Sequence, residues 1–288
     1  MPVVAVDVGG TKIAAGWVDE RAEILDSVVL PTRAGEGYEV SLRQVYAAIR
    51  ACLRPSVSAI GICAPGPLNP KTGVVLNPPN LPGWRNVPLA EMVAAEFGLP
   101  CRVENDANAA GLAETRFGAA RGYSSVFYVT WSTGIGTGII LDGKIYHGKN
   151  GQAGEGGHVT IDYQSAARCG CGLPGCIEAL ASGSALARRG LQPERIAEAA
   201  QAGDAAALAV LDDLALKLGA WLGGMISLLD PEIIVIGGGL SEIGEPLFAR
   251  LREVAPARSI NPFASSTPIV RAQLGARVGI LGAAAVVL

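Results

Sequence analysis

Half of this chain's six cysteines fall in one short window, Cys169-Gly-Cys171-Gly-Leu-Pro-Gly-Cys176. One of its two histidines, His158, stands just upstream in Glu155-Gly-Gly-His158. C-x-C followed by C-x₄-C, with a histidine before it, is a Cys₃His tetrahedral zinc set. The glycines between the ligands let a short loop turn back around a single ion. Glu155 and Glu178 flank the four ligands and are not needed to fill the site. The segment therefore predicts a closed structural zinc that fixes two carboxylates for another task. A disulfide pair or buried free thiols is the alternative reading of the same cysteines.

The 288 residues suffice for a large core, in one big or two modest domains. Charged residues make up 17% and apolar residues 50%, with 38 glycines, which describes a globular chain rich in glycine turns rather than a disordered one. A formal net charge of -3 gives no basic footprint for nucleic acid. Residues 1–6 lack the basic start and long apolar core of a signal peptide. The apolar stretch 218–229 is too short to cross a bilayer and ends at Asp230-Pro231. A cytoplasmic protein with no membrane or nucleic-acid partner is expected, and thiols there favour metal over disulfides.

Apolar β-formers at 3–8 and 13–18 predict two strands around Asp7-Val-Gly9-Gly10-Thr11-Lys12. Helical spacing covers 40–53 and 89–97, with Gly98 as a C-terminal cap of the second. Residues 58–63, 100–103 and 125–130 read as strands, and 139–146 as a strand returning through Asp142-Gly143. The proline-rich stretch 64–88 reads as an ordered loop. Residues 196–229 read as mostly helical, 233–236 as a buried strand, and 246–255 and 279–287 as helices. The mixture is α/β.

Two segments share a strand–turn–strand design, one around Gly9-Gly10-Thr11 and one around Ser132-Thr133-Gly134-Ile135-Gly136-Thr137-Gly138. Small residues let backbone N–H groups approach a phosphate, and hydroxyls add donors. Gly237-Gly238-Gly239 ends a strand where a helix is expected to start. Neither the dinucleotide nor the P-loop spacing is matched. Each turn alone fits an ordinary hairpin; together they suggest a duplicated phosphate-binding scaffold. Asp7 could hold Mg²⁺ through water or stabilise its own turn. Asp106, at the start of a helix after Glu104-Asn105, is either a helix cap or a general base for phosphoryl transfer to an alcohol.

With these motifs assembled, the chain resembles the ROK sugar kinases (repressor, open reading frame, kinase). The resemblance also rests on Ala64-Pro-Gly-Pro-Leu68, Asn80-Leu-Pro-Gly-Trp84, Glu104-Asn-Asp-Ala-Asn108 and Ile236-Gly-Gly-Gly239. It implies a two-domain actin-like, Hsp70-like (ribonuclease H-like) fold closing over a central cleft. The expected division is 1–110 plus about 276–288, against 111–275 with the zinc-binding loop 155–178. The resemblance makes Asp106 the catalytic base on a sugar 6-hydroxyl. It gives sugar contacts to Gly66, Asn80, Asn105, Asp106, Glu155, His158 and Glu178. It gives ATP and Mg²⁺ to Asp7, Gly10, Thr11, Lys12, Thr133, Gly134, Gly237 and Gly238. His158, Cys169, Cys171 and Cys176 become the structural Zn²⁺ ligands, with the second ring nitrogen of His158 offered to the sugar.

Repressors of the family carry a DNA-binding segment before the first phosphate motif. Only six residues precede Asp7, so none is expected. A catalytically inactive sugar sensor remains the non-enzyme alternative. The 64–68 and 80–84 motifs look most like the glucokinases, with kinases of N-acetylmannosamine or another hexose as alternatives. The donor expected is ATP, with polyphosphate open. A homodimer or homotetramer is expected.

Overall fold

A computed structural model describes the backbone of residues 1–288 and every side chain except those at 193, 194, 197 and 201. The first half runs β1 (Val3–Val8), β2 (Lys12–Val18), β3 (Ile24–Pro31), α1 (Tyr38–Cys52), β4 (Ile60–Ala64), β5 (Leu68–Asn69), β6 (Val74–Val75), α2 (Leu89–Phe97), β7 (Cys101–Asn105) and α3 (Asp106–Phe117). The second half runs β8 (Val126–Trp131), β9 (Ile135–Leu141), β10 (Lys144–Ile145), α4 (Ile177–Ala181), α5 (Gly183–Arg188), α6 (Pro193–Gln201), α7 (Ala205–Leu229), β11 (Ile233–Gly237), α8 (Glu245–Ala257), β12 (Ile269–Arg271) and α9 (Val278–Ala285).

The two halves repeat one plan. The first sheet has the order β3-β2-β1-β4-β7 and the second β10-β9-β8-β11-β12. In each, an antiparallel hairpin (β1–β2 or β8–β9) is extended on one side by a further antiparallel strand. On the other side two parallel strands are added. The duplicated scaffold expected from the glycine turns is thus present as topology.

One core packs β1, β2 and β4 against α1 and α2. Another packs β8 and β11 against α6, α7 and α8. A third joins the two sheets through α3 and α9, which meet along small side chains such as Ala109, Ala113 and Ala283. That contact explains the small-residue composition of the last helix: a Cβ on Gly282 would press on the Ala109 backbone at 3.0 Å. No helix among the described residues is long and apolar enough to cross a membrane.

Several expectations change. The mostly helical stretch 196–229 divides into α6 and α7 at Gly203, where Asp204 caps α7 by accepting from Ala207 N–H at 2.8 Å. β9 begins at Ile135, so Gly136 and Gly138 are strand residues and not part of the turn. They are glycine because α3 lies against the strand: a Cβ on Gly138 would sit 2.8 Å from the Ala107 carbonyl oxygen. Gly237 and Gly238 lead into a single 3₁₀ turn at Gly239–Ile243, and the α-helix starts only at Glu245.

Candidate active site

Ligands in such sheets bind outside the carboxyl ends of parallel strands. Here those ends converge on one cleft of about 830 Å³. β4 delivers Pro65 and Gly66, β7 delivers Asn105 and Asp106, and β8 delivers Thr130, Ser132, Thr133 and Gly134. Asn80, Glu155, His158, Cys169, Cys171 and Glu178 join the lining from loops and from α4. The volume suits a small polar substrate together with part of a second ligand.

Asn80 is held by its own motif. Leu81 and Trp84, one and four residues on, are fully buried in the first core. Trp84 Nε1 donates to Ser41 Oγ at 2.8 Å, and the ring meets Tyr38 edge-on at 5.7 Å. The apolar half of the motif is an anchor that leaves Asn80 at the cleft. Gly10 packs directly on Asn80, since a Cβ there would lie 2.9 Å from the Asn80 carbonyl oxygen. The first glycine turn and the Asn80–Trp84 motif therefore touch.

The β7–α3 junction corrects the capping reading of Asp106. The N-cap is Asn105, whose Oδ1 accepts from Ala107 N–H at 2.9 Å and Asn108 N–H at 3.1 Å. Asp106 is the first helical residue. Its Oδ1 also accepts from Ala107 N–H at 2.8 Å, and the residue lines the cleft. Burial pushes the Asp106 carboxyl up to about 6, and the negative charges of Asp7 and Glu155 push the same way, against the Ala107 hydrogen bond. The Asp106 side chain is nonetheless exposed to solvent in the open cleft. The shift is therefore fullest when a ligand excludes water. Asp7 itself is raised by burial, against a contact from Cys63 and the charge of Lys12.

The cysteine cluster folds as expected. One ligand atom from each of His158, Cys169, Cys171 and Cys176 lies within 4.8 Å of the others. Cys171 Sγ and Cys176 Sγ stand 3.7 Å apart, too far for a disulfide. Zn–S bonds of about 2.3 Å in a tetrahedron place sulfurs roughly 3.8 Å apart, so the spacing fits zinc. His158 turns Nδ1 to Cys169 Sγ at 3.3 Å and Nε2 toward Glu155 Oε2 at 3.9 Å. Glu178 bridges two regions: Oε1 lies 3.3 Å from Cys169 Sγ, and Oε2 accepts from Ile135 N–H at 2.9 Å. One N–H after the second glycine turn is thus taken by Glu178.

Of the nucleotide set, Thr133 and Gly134 line the cleft, whereas Asp7, Gly10, Thr11, Lys12, Gly237 and Gly238 do not. Asp7 stays close enough to raise Asp106 electrostatically. Gly238 lies against the Trp131 backbone, next to the Ser132–Thr133 turn. Cys176 is buried behind the lining. One cleft residue had no signal in the sequence. Arg188, the one arginine or lysine in that lining, lies at the end of α5 in an alanine-rich segment and donates to the Ala179 carbonyl at 2.9 Å.

The ROK family profile matches residues 3–288. The chain belongs to the ROK family. A glucokinase of Thermotoga maritima is 34% identical, covering 100% of this chain and 97% of its own. A crystal structure of a ROK family glucokinase from Streptomyces griseus, in complex with glucose and AMPPNP, superposes with a TM-score of 0.85 at 36% identity, covering 99% of each chain. A ROK hexokinase from Thermus thermophilus gives 0.83 at 38%, covering 99% of this chain and 97% of its own. The fold is the two-domain actin-like fold of ROK sugar kinases.

Proposed function

We infer that this protein is a sugar kinase that transfers the γ-phosphoryl group of ATP to the 6-hydroxyl of a hexose, glucose first among them. The observation that carries the reading is Asp106. It lines the same cleft as the Ser132–Gly134 turn and the carboxylates of Glu155 and Glu178. A base poised near neutrality, beside hydroxyl acceptors on one side and phosphate donors on the other, suits phosphoryl transfer to an alcohol.

In the step, Asp106 accepts the hydroxyl proton as the sugar oxygen forms its bond to the γ-phosphorus. The bond from that phosphorus to the β-bridging oxygen breaks and leaves ADP. Gly66, Asn80, Asn105, Glu155, His158 and Glu178 are the proposed sugar contacts. Thr133 and Gly134, with Gly10, Thr11, Lys12, Gly237 and Gly238 around them, are the proposed donor contacts. Arg188, a cation in the same lining, is a further proposed donor contact. Asp7 would hold Mg²⁺ through water, and the ion would neutralise charge on the phosphates.

His158, Cys169, Cys171 and Cys176 would hold Zn²⁺ as a structural ion away from the phosphate. With Nδ1 as the ligand atom, zinc would fix the ring direction of His158 and leave Nε2, which lies toward Glu155, free for the sugar. Cys169 beside Glu178 ties that carboxylate to the same cluster.

Residues 1–110 with 276–288 and residues 111–275 are proposed as the two units that close over the sugar. Closure would exclude water from the γ-phosphate and limit ATP hydrolysis. The apolar composition supports a homodimer or homotetramer. Assay of purified protein with Mg²⁺–ATP and a hexose panel tests the reading. ADP release that depends on glucose supports it, and no release with any hexose contradicts it.

A further inference from the structure

The chain's second histidine lies outside the proposed chemistry. His147 follows β10, on the loop that ends at Glu155. Its Nε2 meets Glu104 Oε2 at 2.7 Å. Glu104 is the last-but-one residue of β7, and its side chain is 4% exposed. A carboxylate only accepts, so Nε2 is the donor in this pair. The other oxygen, Oε1, accepts from Asn105 N–H at 2.9 Å and from Asn108 Nδ2 at 3.2 Å.

Those two partners bracket Asp106. Asn105 caps α3 and Asn108 closes its first turn, so Glu104 holds both ends of the four residues that carry the base. Among the described residues, His147 is the one side chain that hydrogen-bonds Glu104 from the other half of the chain. The His147 carbonyl in turn accepts from Ala153 N–H at 3.1 Å, which closes the loop before Glu155. On the far side, Gly154 packs on Asn108: a Cβ there would lie 3.1 Å from Asn108 Oδ1. Oδ1 is buried and has no hydrogen-bond partner among the described residues. The loop presenting Glu155 and the turn presenting Asp106 are thus joined through one buried carboxylate.

We propose that His147 is a positioning residue: by donating to Glu104 it locks the 105–108 turn, and with it the aim of Asp106, to the loop that presents Glu155. The proposal rests on the kinase reading for its kinetic consequence but not for the contact itself. A His–Glu pair that served stability alone would leave turnover and substrate affinities unchanged once the protein was folded.

The test compares the parent with H147L and with H147Q, whose amide can donate near the position of Nε2. Steady-state kinetics are read beside hydrogen exchange at residues 105–108. H147L is expected to lower kcat roughly 10- to 100-fold, as for loss of one hydrogen bond to a charged group. KM for ATP should stay within about twofold, because the donor contacts lie elsewhere. The amides of Asn105, Ala107 and Asn108 should exchange faster, and H147Q should recover most of both effects. Parent-like kcat and exchange in H147L would overturn the proposal, and so would H147Q behaving as poorly as H147L. If the parent itself phosphorylates no hexose, the kinase reading fails and exchange alone decides: unchanged protection in H147L then overturns the anchor. Should H147L not fold, H147N, whose amide stops short of Glu104, carries the same comparison.

Discussion

Asp106 and Glu178 face the same cleft, but different forces hold them there. Asp106 stands where a parallel strand in register with its neighbours becomes a helix capped by Asn105. The first turn of that helix is buried against β9. Glu178 follows a loop whose own apolar cluster is little more than Cys169, Cys176 and Ala179. Tyr163 and Leu173 in that loop are exposed. The first wall is held by a core that folding builds anyway. The second divides: Ile177 and Ala181 beside Glu178 are buried in the second core, whereas the loop before them has little apolar packing and would depend on the proposed zinc. Losing a side chain from the first wall should damage chemistry, and losing the metal from the second should damage sugar binding.

The largest effect expected is from Asp106→Asn. Sugar binding and fold should persist while kcat drops by about 10²–10⁴-fold or more, as for an essential base. Near-parent kcat in that variant would remove Asp106 from the mechanism. Next is metal loss. Purified protein should carry one zinc per chain, and Cys171→Ser or chelation should weaken glucose affinity about 10- to 100-fold. Thermal stability should fall with it, whereas the first core should keep its secondary structure. Metal analysis finding no zinc in fully active protein would erase the contrast between the walls.

The pH dependence is a smaller effect. As the proposed base Asp106 must be ionised, and its carboxyl is raised to about 6 by burial. kcat/KM should therefore fall about tenfold per unit as pH drops below about 6. A profile flat down to pH 4.5 would count against the environment described for this carboxyl.

The smallest effect separates function from stability. A carboxyl raised in the folded state binds its proton more tightly there than in the unfolded chain. That linked stability is full below about pH 4 and is lost as pH rises through about 6. Asp106→Asn should therefore raise Tm modestly above pH 6 and leave it unchanged near pH 4. Solvent in the open cleft keeps the gain small. A lower Tm at neutral pH would mean that Asp106 is held by favourable contacts instead.

Much of this was legible because local chemistry carried it. The cysteine spacing gave the cluster, and the apolar strands bounded by small residues gave both hairpins. Gly98 gave the end of α2, where it adopts φ 67°. What escaped lacked a local signal. β3 is an edge strand with most of its side chains exposed, and β12 has three residues. Gly136 and Gly138 look like turn glycines until α3 is seen to press on them. Asn105 and Asp106 are both good caps, and only geometry chose between them. Glu104 and His147 are 43 positions apart, so no motif joined them. A clue was available in the count: of two histidines, the cysteine cluster used one.

The measurement that bears most directly on the account is a coupled ADP-release assay of the zinc-loaded protein and of Asp106→Asn, with Mg²⁺–ATP and a panel led by glucose and N-acetylmannosamine. The account predicts glucose-dependent turnover with the highest kcat/KM for glucose, abolished by the substitution. Preference for another hexose would keep the mechanism and move the error to the sugar pocket. Turnover that survives in Asp106→Asn, or none with any sugar in the zinc-loaded parent, would contradict the account.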